Sequence, residues 1–298
     1  MRRFWERRSL SRIIGRLLEK RDDPARRLTA PVPSGDGSAR GEPPIFVIGC
    51  FRSGTSILRR VFDSHSRIAC PPESKFVLAA TQLLRDRKAL EGLDSMGFGR
   101  AEVASALGAF IDGFFGGYAA ARGKMRWADK TPDYVDCLAE LWEVFGPDGR
   151  FVLIIRHGLD VAYSLSDPHR HYPAIASHIE RAGGNVPVAA GVYWAEQTEK
   201  IEAFRQEHPE ASFQLRYEEL TSRPEAVLRS MFEFVGEPWE PEVLQYNRFP
   251  HDVGLEDPDV KRRSRIVANS GKYRAWPVEL QKAVREACRS TLVRLGYE

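Results

Sequence analysis

The stretch Pro44-Ile45-Phe46-Val47-Ile48-Gly49 constrains this chain more than any other. Four successive apolar residues between Pro and Gly are too few for a stable helix and too uniformly apolar for a strand with one wet face. The pattern fits a parallel strand covered on both sides that runs into a tight turn. Directly after the turn, Ile57, Leu58, Val61 and Phe62 fall on one face of a helix expected from Thr55 to about Ser64. The alternation then repeats. Phe151 to Ile155 reads as a second buried strand and Asp160 to Ser164 as the start of the next helix. Gly191 to Phe204 reads as a helix, Phe213 to Tyr217 as a short strand, and Glu225 to Val235 as a helix after Pro224. The segment from Phe76 to Val144 is largely helical in pattern. Strands alternating with helices predict an α/β fold, a three-layer sandwich whose central parallel sheet is flanked by helices.

The turn itself carries chemistry. Gly49-Cys50-Phe51-Arg52-Ser53-Gly54-Thr55-Ser56 has the spacing of the phosphate loop G-x-x-x-x-G-K-S, with Thr55 in place of the lysine. A strand-to-helix turn of this kind aims backbone N–H groups and a helix N-terminus at a phosphate, which accounts for both glycines and the small Ser53, Thr55 and Ser56. The lysine that reaches the outer phosphates of a triphosphate is missing, and a positive charge stands earlier, at Arg52. The loop therefore suits a 5′-phosphate bearing a transferable anionic group better than a magnesium-dependent triphosphate.

Charge divides the chain in two. Ten Lys and Arg against four Asp and Glu give residues 1–27 a net +6, which leaves the remainder at −3. Leu10, Ile13, Ile14, Leu17 and Leu18 recur at helical spacing among these arginines, and Pro, Gly, Ser and Arg dominate from Asp22 to Pro44. The expected organisation is a basic amphipathic arm and flexible linker over residues 1–43, then one folded domain over residues 44–298. The arm suits an anionic membrane surface or a partner chain, a second copy included; no nucleic-acid partner is expected. Cys50, Cys70, Cys137 and Cys288 form no C-x-x-C pair or Cys/His cluster, so neither a zinc site nor a disulfide framework is expected. No continuous apolar run reaches about 18 residues, and the N-terminus lacks a signal-peptide core. These features lead to the expectation of a cytoplasmic protein, peripheral to membranes if the arm binds them.

Several blocks together resemble the sulfotransferases that use 3′-phosphoadenosine 5′-phosphosulfate as donor, a family with the phosphate-loop type of three-layer fold. Phe51-Arg52-Ser53-Gly54-Thr55-Ser56 resembles the family's 5′-phosphosulfate loop, and Ile155 to Ser164 its 3′-phosphate block, which implies donor contacts from Arg52, Ser53, Gly54, Thr55, Ser56, Arg156 and Ser164. Arginine supplies a fork that matches a phosphate, and the serine adds a hydroxyl donor. Leu215 to Leu220 is similar to a block whose tyrosine lies near the adenosine, here Tyr217. Ser264 and the Ser270 to Pro277 segment resemble, more loosely, the loop that closes over the nucleotide, with Lys272 as its cation.

For catalysis, Ala128-Asp129-Lys130-Thr131-Pro132 resembles a Lys-Thr-Pro segment whose lysine sits near the sulfuryl group, so Lys130 and Arg52 are expected to stabilise the charge developing on sulfuryl oxygens and departing phosphate. Two residues after the loop could act as base, Glu73 and His65. Asp63 to Lys75 resembles the tyrosylprotein, bacterial and carbohydrate branches, in which a glutamate is the proposed base, and this favours Glu73. His65 reads better as a turn or capping residue. The resemblance implies sulfuryl transfer to a hydroxyl of a carbohydrate, glycolipid or other small molecule, without a metal. Two alternatives stay open: a nucleotide kinase-like enzyme, for which Asp129 would serve magnesium, and a non-catalytic nucleotide-binding protein at a membrane surface.

Overall fold

A computed structural model describes residues 42–170, 172–254, 260 and 265–298. The arm expected over residues 1–43 lies almost wholly outside the described residues, as do Ser264 and His171.

Five strands, all parallel, form one sheet: β1 (Ile45–Ile48), β2 (Ile68–Ala69), β3 (Arg126–Lys130), β4 (Arg150–Ile155) and β5 (Ser212–Arg216), in the spatial order β2-β3-β1-β4-β5. Ile45 pairs with Ala128 on one side and Arg150 on the other. Alternate residues of β1 face opposite layers: Phe46 and Ile48 join Trp127, Tyr134, Phe151 and Trp194 in one core, and Ile45 and Val47 join Leu58, Val61, Val152 and Phe232 in the other. This two-sided burial explains why β1 is apolar throughout. The expected three-layer α/β sandwich is therefore the observed architecture.

The helices that matter for the site are α1 (Thr55–Ser64), α2 (Arg100–Ala120), α3 (Gly158–Leu165), α4 (Val186–Glu207) and α5 (Pro224–Val235). The bounds of α1 agree with the sequence expectation, while α3 and α4 extend beyond theirs and Tyr217 opens a short helix instead of ending β5. The reading of Phe76 to Val144 as largely helical holds, but it missed β3, which lies inside that segment. Its charged ends hide it: Arg126 is buried and donates to the carbonyls of Pro43 and Val235 and to Glu237, partners remote in sequence. Helix α2 is long and apolar enough by length and composition to cross a membrane, because Ala and Phe raise its mean hydropathy without a continuous apolar run. In the fold it packs Val103, Ile111, Phe115 and Ala119 into the core, with Phe115 stacked on Trp127.

Strand β1 lies between β3 and β4, and the chain runs from β1 to the β2 edge before crossing from β3 to β4, so the strand order reverses at β1. A crevice forms outside the carboxyl ends of such strands. Gly49 follows β1, Lys130 ends β3 and Arg156 follows β4, which brings the phosphate loop and two of the expected site residues to that crevice. Packing around Gly49 is tight: a Cβ there would lie 2.7 Å from Ile154 Cγ2, 2.8 Å from Thr55 Cγ2 and 2.9 Å from the Ile154 carbonyl oxygen. Gly49→Ala should therefore destabilise the domain by about 1–3 kcal/mol through overpacking, read as a lower urea midpoint with unchanged slope.

Candidate active site

The phosphate loop is built by two residues with left-handed backbone, Arg52 at φ 70° and Gly54 at φ 104°. Glycine is required at position 54 for a second reason, because a Cβ would meet the Tyr217 ring at 2.7 Å. The Ser53 amide closes on the Cys50 carbonyl at 3.1 Å and the Ile57 amide on the Gly54 carbonyl at 2.9 Å, leaving the amides at the start of α1 to face the crevice as an anion site does. Ser53, Thr55 and Ser56 are buried, and the Ser53 hydroxyl has no hydrogen-bond partner. A buried polar atom of this kind costs free energy unless something completes it.

Arg52 and Arg156 meet over this loop. Arg52 Nε donates to Ser164 Oγ on α3 at 2.7 Å. Arg156 donates to the Arg52 carbonyl at 2.8 Å and to the Asn269 carbonyl, and its guanidinium lies 4.3 Å from the Tyr217 ring centroid. The expected 5′ and 3′ anion contacts thus form one continuous surface. Arg52, Arg156, Ser164 and Lys272 line a cavity of about 510 Å³ whose wall also includes Tyr163, Arg170 and Trp276. Segment 269–276 closes its far side. It is held by Asp160 Oδ1, which accepts from the Gly271 amide at 2.6 Å, by Tyr217 OH, which accepts from the Asn269 amide at 3.1 Å, and by stacking of Tyr273 on His157. Burial raises the Asp160 carboxyl above its ordinary value, and Arg156 and the Gly271 amide oppose that rise.

On the other side of β1 stands a buried ion pair. Lys130 has no exposed surface and donates to Glu73 Oε1 at 2.5 Å. The turn bearing Glu73 is pinned from below by the fully buried Arg59 of α1, whose Nε reaches the carbonyls of Cys70 at 3.0 Å and Pro71 at 3.3 Å. One helix therefore presents the anion-binding amides at its start and fixes the carboxylate turn one turn later. His65 sits elsewhere: it is buried and stacked on Phe232, with Nε2 2.9 Å from the Pro238 carbonyl and Nδ1 accepting from the Arg67 amide at 3.2 Å. Both ring nitrogens are engaged, which leaves no lone pair for a substrate proton.

Of the expected residues, Arg52, Ser53, Gly54, Thr55, Ser56, Glu73, Lys130, Arg156, Ser164, Tyr217 and Lys272 are described, and the loop, the arginines, Ser164, Tyr217 and Lys272 gather around the cavity and its closing segment. Sequence reasoning missed Asn269 and Arg170 as parts of this wall, and Asp160 as the anchor of segment 269–276. The signal for Asp160 was present in the Arg156 to Ser164 block, where an acidic side chain in the first turn of a helix has no intrahelical partner. Among the described residues, no group of three or more His, Cys, Asp or Glu could hold a metal ion.

Residues 43–241 match the model described as Sulfotransferase family. The chain belongs to this family. Protein-tyrosine sulfotransferase A of Caenorhabditis elegans is 25% identical over 286 residues, covering 92% of this chain and 72% of that protein. Nodulation protein NoeE of Sinorhizobium fredii is 25% identical over 283 residues, covering 85% of this chain and 65% of its own length. The sulfotransferase domain from the curacin biosynthetic pathway, 19% identical, superposes with a TM-score of 0.57 over 87% of this chain and 99% of the domain. That last likeness concerns the fold. The sulfotransferase site geometry above generates its own test: Arg156→Lys cannot fork to the Arg52 and Asn269 carbonyls at once. Amide exchange in segment 269–276 should rise by about tenfold, the loss of one charge-assisted bond of about 1.5 kcal/mol, with β1 and β4 unchanged.

Proposed function

We propose that this sulfotransferase moves a sulfuryl group from 3′-phosphoadenosine 5′-phosphosulfate to an acceptor hydroxyl, with Glu73 as base. The observation that carries the assignment is the Glu73 carboxylate held on the buried Lys130 ammonium at 2.5 Å, beside the phosphate loop. Glu73 takes the hydroxyl proton as the acceptor oxygen bonds to sulfur, while the bond from sulfur to the bridging phosphate oxygen breaks and adenosine 3′,5′-bisphosphate departs. A protonated Glu73 no longer neutralises Lys130. The ammonium charge then becomes available to the departing oxygen at the moment that oxygen gains charge, which is the differential stabilisation catalysis requires. Arg52 and the loop amides would hold the 5′ end, and Arg156, Ser164 and Lys272 the 3′-phosphate, with Tyr217 near the adenosine. Four cationic side chains meet the donor's charge, so the reading includes no metal; it places the enzyme in the cytoplasm.

The acceptor we infer is a carbohydrate, glycolipid or other small molecule with an apolar portion. Phe76, three residues after Glu73, packs on Phe110 and Phe114 of α2 with ring centroids 6.3 and 5.4 Å away. Phe110 and Phe114 are 52% and 46% exposed, so an aromatic surface continues outward from the base. A protein tyrosine is the second reading, favoured by the relatives that carry that name.

Glu73→Gln should retain binding of adenosine 3′,5′-bisphosphate in calorimetry and slow transfer by about a hundredfold, the scale of a general base. A transfer assay with labelled donor and EDTA present should still show turnover. Binding of ATP with magnesium, but not of the bisphosphate, would favour the kinase-like alternative instead. For the acceptor, an octyl glycoside should show a lower KM than the free sugar, at up to about 0.8 kcal/mol per buried methylene. Phe110→Ser with Phe114→Ser should erase the difference, whereas preference for tyrosine peptides over every glycoside would establish the second reading.

A further inference from the structure

We propose that Asp129 is a positioning residue for Glu73, holding the turn that bears the base and setting the charge that the base meets through Lys130; the inference rests on the role proposed for Glu73. Three successive residues of that turn pair with the end of β3 and the segment after it. Glu73 takes Lys130, Ser74 Oγ lies 3.5 Å from Asp129 Oδ2, and Lys75 Nζ lies 3.2 Å from Asp133 Oδ2. Lys75 has φ 57°, a left-handed backbone unusual for lysine, so the turn needs such contacts to keep its shape. Asp129 is their innermost member. It is fully buried, accepts a short hydrogen bond from the buried Tyr134 hydroxyl, and leaves Oδ1 without a partner.

A fold seeking stability alone would not place a carboxylate there. Burial pushes the Asp129 carboxyl up from 3.8 to about 6; Tyr134 and Lys130 pull it down and Glu73 pushes it up. The facing ionisable groups are thus Glu73 on the turn, Lys130 on the same strand, Tyr134 after it, and the Cys70 thiol, which Asp129 itself helps to raise. The folded state binds this proton more tightly than the unfolded chain does. Stability therefore falls as pH rises from about 4 to about 6 and the cost is complete above that. What the cost secures is charge balance. Glu73, Asp129 and Lys130 sum to −1, so a proton arriving on Glu73 brings the trio to zero. With a neutral residue at 129, Lys130 would oppose the arrival of that proton on Glu73 with no second carboxylate to offset it.

The test is turnover and melting temperature of wild type, Asp129→Asn and Tyr134→Phe between pH 4 and 9, on one acceptor that the wild type sulfates. Wild-type turnover tests the role of the fold's site as a whole; only the ratios test this inference. Asp129→Asn should lower kcat about tenfold or more with donor KM within about twofold. Its Tm should gain on wild type from pH 4 to pH 6 and stay higher above. Unchanged kcat, or a Tm at pH 8 below wild type, would overturn the proposal, since a purely structural aspartate loses stability when replaced. Tyr134→Phe removes a donor to the ionised Asp129 carboxylate, so the acidic inflection of kcat should move upward relative to wild type. An inflection that stays in place would also overturn it, even if the asparagine variant does not fold.

Discussion

An ammonium group with no exposed surface has to be paired, because desolvation of an unpartnered charge costs several kcal/mol. Lys130 meets that condition, and much of the local architecture follows from it. Its partner comes from a turn that would otherwise be free to move, so the pair fixes Glu73 as firmly as it shields Lys130. The remaining polar groups around it, the hydroxyls of Ser74 and Tyr134 and the carboxylate of Asp129, occupy positions where apolar side chains would pack more cheaply. Such polar concentration beside a sheet end is the expected cost of a site that must carry charge.

The sheet order converts this local chemistry into a reaction geometry. With β1 central, the anion loop lies between the Lys130 side and the Arg156 side, and helix α1 belongs to both. Arg59 binds the carbonyls of Cys70 and Pro71 from that helix, so the anion loop and the turn bearing Glu73 are tied to one element. Their separation is set within one helix and its buried guanidinium, the kind of fixed spacing on which transfer between two bound molecules depends.

Much of this was legible in the sequence. The run Ile45 to Ile48, the Gly49 to Ser56 octet and the α1 stripe are local patterns, and each took the form its residues implied. The arginine at the end of β4 and the serine on α3 were likewise readable, since both lie on one strand–helix unit. What escaped has a common physical cause. Strand β3, Arg126-Trp127-Ala128-Asp129-Lys130, looks too polar for a buried strand, yet its arginine and lysine are compensated by Glu237 and Glu73, far along the chain, and no window of neighbours reveals that. His65 is the converse case: a residue type suited to acid–base work whose two nitrogens are consumed by the Pro238 carbonyl and the Arg67 amide. Side-chain chemistry is readable from sequence, whereas the pairing that decides whether it is available belongs to the tertiary structure.

Arg156 shows what such pairing means for the speed of a catalytic cycle. Two of its guanidinium nitrogens already serve the Arg52 and Asn269 carbonyls, and Nε is buried without a partner. In the role proposed for Arg156, an incoming phosphate would have to share or displace those carbonyls, so the protein would compete with its own ligand and give up part of the affinity that an unengaged arginine would offer. The same competition works in reverse at the end of a turnover. As the spent nucleotide left, the carbonyls would take back the guanidinium, and no buried cation would be left bare. A weaker hold on the product would thereby be obtained without a less organised site, which favours rapid release where departure of product sets the rate.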